Sequence, residues 1–163
     1  MTTAAAAQLE RELKDAFKNR ALLYWSIYDE LRREIGAERA ERVLARAIER
    51  RGTEAGDGLF RGVPADPAAI AERFLKTSPA AGRLFPTEVG RDDMGGVHIK
   101  VLGCPLKQAW EEAKLPSADM ATLCRIAGRF DNGLFGGRGV AFAAETWSEG
   151  KDGCCRLHLD VPR

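Results

Sequence analysis

Apolar residues along the first third of the chain recur with a helical period. From Leu9 they fall at Leu13, Ala16, Phe17, Leu23, Tyr24, Ile27, Leu31 and Ile35, which fits one face of a long helix. Gly36 supplies its stop. A second stretch, AERAERVLARAIERR, carries Ala40, Val43, Leu44, Ala47 and Ile48 on one face and predicts a helix closed by Gly52. Together they predict an antiparallel hairpin over residues 1–52, with solvated charged faces laced by i,i+4 pairs. Glycines at 52, 56, 58 and 62 break the period and predict a loop. A third helix opens at DPAAIAERFLK, where Asp66 stands at N-cap and Pro67 at the first helical position, which has no use for its missing N–H. Pro79, Pro86 and several glycines then predict an irregular connection up to residue 95.

Beyond residue 95 the period changes from helical to alternating. VHIKVL sets Val97, Ile99 and Val101 against His98, Lys100 and Leu102, the pattern of a half-buried strand. VAFAAETW and CCRLHLDV flank SEGKDG and predict a hairpin. Two short helices, PLKQAWEEA and ADMATLCRIAGRF, lie between that strand and the hairpin. The order predicts one α+β domain: an N-terminal helical hairpin and further helices packed on a small antiparallel sheet. Residues 53–95 form its helix and irregular connection, and residues 96–163 its cysteine-containing sheet and helix half.

Composition narrows the function more than the fold. A chain of 163 residues suits one domain with its own core. Twenty-five basic against twenty-four acidic residues leave no general field to recruit nucleic acid or an anionic membrane. The start lacks the basic region of a signal peptide, and no run approaches the ~18 apolar residues of a span. Four cysteines with no CxxC pair point to free thiols or ligands, not a disulfide framework, in a reducing cytoplasm. The expected partner is a small-molecule substrate, with no nucleic acid and no membrane, and the N-terminal helices are the expected surface for any homo-oligomer.

The cysteines carry the candidate chemistry. Cys104 ends a strand directly before Pro105, at a helix N-cap, where first-turn N–H groups and the dipole favour a thiolate and predict a lowered pKa. The alternative is a cysteine packed under the strand-helix corner. Cys124 falls on the stripe Met120, Leu123, Cys124, Ala127 of a helix capped by Ser117, which reads first as core. Asp131, before Asn132-Gly133, reads as a turn residue unless it points back into a cavity as a general acid or base. Strand alternation puts Cys155, Leu157, Leu159 and Val161 on the core face, and Cys154, Arg156, His158 and Asp160 on the polar face. Only one of the two adjacent thiols then joins a given site, and that one is Cys155. His98 and His158 read as lone exposed histidines. The spacing C-x19-C-x29-C-C lacks the close pairs of zinc sites, and no GxSxG, HExxH or P-loop is present.

CPLKQAW, LCRIAGRFDNG and GCCRLHL, behind IYDELRREIGAERAERVLARAIERRG, together resemble the L-2-amino-thiazoline-4-carboxylic acid hydrolase family over nearly the whole chain. The resemblance implies hydrolytic opening of a cyclic amidine that bears a carboxylate, giving an N-carbamoyl amino acid. The positions that carry over are Cys104, Cys124, Asp131 and the Cys154-Cys155 pair, with Cys104, Cys124, Asp131 and Cys155 as the catalytic candidates. In the expected mechanism Cys104 attacks the C=N carbon, Asp131 moves protons, and Arg125 or Arg138 holds the substrate carboxylate. No cofactor is expected. The chain also resembles vinyl-reductase-type ligand-binding domains in topology. That leaves a second reading open, in which Cys104, Cys124 and Cys155 line a ligand pocket or hold a metal without chemistry.

Overall fold

Gly36, with φ at 81°, turns the chain between two long helices, α1 (Thr3–Ile35) and α2 (Ala37–Leu59). Left-handed backbone favours glycine there, so the expected stop holds. The computed structural model describes residues 3–162. Helix α3 (Pro67–Lys76) opens as expected, with the Asp66 side chain accepting from the Ala69 N–H at 2.8 Å. A tight turn at Pro79–Gly82 leads to strand β1 (Thr87–Arg91), which hairpins into β2 (Val97–Val101). Helices α4 (Pro105–Glu112) and α5 (Ser117–Phe135) follow, then strands β3 (Ala141–Glu145) and β4 (Arg156–Asp160). The sheet is antiparallel in the order β1-β2-β4-β3, so the architecture is α+β, as expected. No helix among the described residues is long and apolar enough to cross a membrane.

Four local expectations are corrected. Helix α2 does not stop at Gly52 but runs on through Gly56 and Gly58 to Leu59. The cause is tertiary: a Cβ on Gly52 would stand 2.1 Å from the Phe130 carbonyl oxygen, and one on Gly56 would stand 2.4 Å from that of Leu134. The same holds across the contact, since a Cβ on Gly133 would stand 1.9 Å from the Glu49 carbonyl oxygen. These glycines let the backbones of α2 and α5 touch. Second, the stretch before residue 95 contains β1, an edge strand whose side chains are mostly exposed and so carry little alternation. Third, α5 runs past Asp131 to Phe135, so Asp131 is a helical residue and not a turn residue. Fourth, Ser117 does not cap α5: Pro116 holds the N-cap position, and the Ser117 hydroxyl donates to Glu149 Oε1 at 3.1 Å.

Two apolar clusters fill the interior. One lies among α1, α2, α4 and α5 around Trp110, whose indole N–H donates to the Ala21 carbonyl at 2.8 Å. The other lies between α3, α5 and the inner face of the sheet, where Phe135 stacks on Phe142 with ring centroids 4.7 Å apart. Phe130 touches both clusters. Cys104 packs on the first and Cys155 on the second, so the thiols stand where the two meet.

Candidate functional site

Three segments bring the sulfur atoms together. Cys104 stands at the corner where β2 gives way to α4, in extended backbone at the N-cap position. Cys124 and Asp131 are seven residues, about two turns, apart on α5 and therefore share a face. Cys154 and Cys155 precede β4. There Val101 accepts from the Cys154 N–H at 3.0 Å and donates its own N–H to the Cys155 carbonyl at 2.8 Å. Two residues thus oppose one, the pattern of a bulge.

That bulge corrects the expectation for Cys154. Strand alternation does not apply before Arg156, and Cys154 is half-buried beside Cys104 instead of standing in a solvent row. Both thiols line one groove of about 590 Å³, together with Lys14, Lys107 and Asp152. Cys124 and Cys155 lie deeper. A charge on Cys124 would be felt by all three other thiols, and Asp131 bears on both Cys104 and Cys155. The four sequence candidates therefore occupy one neighbourhood.

The electrostatics run against the expectation of an acidic Cys104. Burial pushes its thiol above the ordinary range, and the nearby Asp131 carboxylate adds to the rise. The Leu106 and Lys107 amides and Arg20 oppose it without prevailing. No full cap hydrogen bond closes on the sulfur, so the helix start acts on it only loosely. Burial also raises the others: Cys154 to about 11, Cys155 to about 12, and Cys124 further. Asp131 is lifted by burial alone, to about 7. Desolvation disfavours an ionised carboxyl, and no hydrogen bond reaches this one among the described residues. The site thus holds weakly acidic thiols beside a carboxyl that titrates near neutrality.

The arginines proposed for a substrate carboxylate are committed elsewhere. Arg125 makes a two-point contact with Glu41 at 2.8 and 2.9 Å. Arg138 binds Asp57 at 2.8 Å and the carbonyls of Leu134 and Thr53. The cations near the thiols are Arg20 and Lys107, with Lys14 on the groove wall. Nothing in the spacing of Lys14 or Arg20 on α1 signals this, because it depends on how α1 lies against α4. The histidines are also corrected: His98 and His158 are paired, half-buried, with their Nδ1 atoms 2.9 Å apart.

A family model described as L-2-amino-thiazoline-4-carboxylic acid hydrolase matches residues 16–159. No curated protein matches the chain. Among solved structures, the chain is similar to a trafficking protein particle complex subunit 3 from Naegleria fowleri, described as covalently bound to palmitic acid. The two are 12% identical, the match covers 92% of this chain and 97% of that one, and the TM-score is 0.55. At that identity the likeness concerns the fold alone.

Proposed function

Because this chain belongs to the L-2-amino-thiazoline-4-carboxylic acid hydrolase family, we propose that it is a hydrolase that opens a cyclic amidine of the 2-amino-thiazoline-4-carboxylate type by thiol-dependent chemistry at Cys104. The observation that carries the reading is the meeting of a groove-lining thiol, Cys104, with a half-buried carboxyl, Asp131, that desolvation lifts to about 7. A thiol held protonated by burial needs a base at the moment of attack, and a carboxyl near neutrality is poised to serve.

The steps follow from these groups. Asp131 takes the Cys104 proton as the sulfur adds to the amidine carbon, which lies between the ring sulfur and the ring nitrogen. The bond from that carbon to the ring sulfur breaks, and the departing sulfur receives the proton from Asp131. Water then adds to the same carbon, and Cys104 leaves as the thiol. The product is an open-chain N-carbamoyl amino acid with a free thiol. Lys14 on the groove wall is the candidate for the substrate carboxylate, since Lys107 is already held by Glu111 and the Trp147 ring. Cys124 and Cys155 are positioning residues in this scheme, packed behind the reacting pair.

The test is ring opening of 2-amino-thiazoline-4-carboxylate, followed as release of the free thiol. Cys104→Ala abolishes turnover with the fold intact, and Asp131→Asn lowers it at least a hundredfold, within the usual range for losing a general base. Cys154→Ala retains most activity. A fully active Cys104→Ala protein overturns the mechanism.

A second reading is a non-catalytic ligand-binding domain in which Cys104 carries an acyl chain. It is favoured by the thiols' apolar surroundings and by the fold's likeness to a protein described as covalently bound to palmitic acid. Intact-mass measurement separates the two. An acyl adduct that disappears in Cys104→Ser supports the binding domain.

A further inference from the structure

The outer face of the sheet holds a second cluster of titratable side chains. Inward-facing Val97, Ile99, Leu157 and Leu159 are buried against the helices, so His98, His158 and Asp160 stand on the opposite face. Asp92, at the start of the β1–β2 turn, joins them. Asp92, His98 and Asp160 each place one ligand-type atom within 4.8 Å of the others. We propose that these three residues bind a divalent metal ion of the zinc class, with His158 and Glu145 as its outer supports.

Two features of the backbone make this a shaped site. Gly96 separates the two carboxylates: a Cβ there would stand 2.4 Å from Asp92 Oδ2 and 2.6 Å from Asp160 Oδ1. Both acids thus lean over one bare backbone position. The other oxygen of Asp92 accepts from the Met94 and Gly96 amides at 2.8 and 2.9 Å, which fixes the carboxylate and leaves Oδ2 facing the cluster. The Asp160 side chain has no hydrogen bond or ion pair among the described residues. One imidazole nitrogen and two carboxylate oxygens suit a zinc-class ion better than magnesium or calcium, which prefer all-oxygen shells. Ligand atoms about 2.0–2.1 Å from a tetrahedral zinc stand about 3.3 Å apart. The separation of His98 Nε2 from Asp92 Oδ2 is 3.0 Å, close to that spacing.

The hydrogen-bond chain is one that a metal on His98 would complete. If His98 donates Nε2–H to Asp92, its Nδ1 must accept from His158 Nδ1 across their 2.9 Å contact. The neutral His158 then has a bare lone pair on Nε2. That atom is sealed from solvent with no hydrogen-bond partner, and it faces the Glu145 carboxylate at 3.5 Å, acceptor against acceptor. A metal on His98 Nε2 reverses both tautomers. His98 Nδ1–H donates to His158 Nδ1, and His158 Nε2–H points at Glu145 Oε1. The chain metal–His98–His158–Glu145 then has a donor matched to an acceptor at every link, the usual outer arrangement behind a metal-bound histidine. The ion would clasp the β1–β2 turn to the end of β4.

Chelator-stripped protein titrated with Zn²⁺, and separately with Co²⁺, tests the site. One equivalent binds per chain, and the cobalt spectrum lacks the intense near-ultraviolet bands of thiolate ligation. Asp160→Asn, which keeps the side chain's shape, and His98→Gln each abolish saturable binding. His158→Phe, which removes only the outer link, weakens it about tenfold. Cys104→Ser binds as the wild type does. Absence of saturable binding, affinity indifferent to Asp160→Asn, or thiolate bands lost in Cys104→Ser would each overturn the proposal.

Discussion

At Asp131 the fold keeps a carboxyl where its ionised form is disfavoured, which gives the residue a signature in stability as well as in rate. Burial lifts it from the ordinary 3.8 to about 7. Between those values the folded chain holds a proton that the unfolded chain has lost, so this residue's contribution to stability falls as pH rises from about 4 to about 7. Asp131→Asn removes the penalty. Its Tm relative to wild type is therefore higher at pH 8 than at pH 5, as scanning calorimetry at the two pH values would show. Turnover has the opposite sign in the wild type, rising with pH through about 7 as the base ionises. At this scale the sequence was a partial guide. The N-cap place of Cys104 is local and was legible in GCPLKQAW, whereas its burial depends on distant segments and reverses the expected shift. Arg125 and Arg138 have the guanidinium chemistry for a substrate carboxylate, but Glu41 and Asp57 on α2 claim them.

Among elements, the α2–α5 contact decides which glycines matter. Gly52 faces the Phe130 carbonyl and has no room for a methyl group, whereas Gly58 has open space. Gly52→Ala destabilises by about 3 kcal/mol, as expected of overpacking against backbone. Gly58→Ala stabilises by about 0.5–1 kcal/mol, because alanine is the better helix former. Denaturant unfolding of the pair checks both signs, and a tolerated Gly52→Ala would mean that the two helices sit farther apart. Periodicity alone therefore ends the second helix too early. Four glycines in eleven residues look like a break when only periodicity is considered, but two of them, Gly52 and Gly56, form a packing face once α5 lies on them. Strand β1 escapes the sequence pattern for the reverse reason. TEVGR faces solvent over most of its length, and Val89 is 49% exposed, so little pattern marks it.

For the whole molecule, helix α1 carries more apolar surface than the rest of the fold covers. Leu9 is 56% exposed, Leu23 54% and Ile27 39%. This supports the proposal that copies of the chain associate through their N-terminal helices, burying surface of the kind that marks protein contacts. Sedimentation should find an oligomer that the double substitution Leu23→Glu with Ile27→Glu converts to a monomer. A wild type that sediments as a monomer at micromolar concentration would remove the proposal. The sheet order has its own consequence, since β4 lies between β2 and β3 although it follows every other described element along the chain. Until β4 is made, β2 keeps one edge without its backbone partner. The thiol neighbourhood is likewise assembled only when Cys154 and Cys155 arrive with the closing strand.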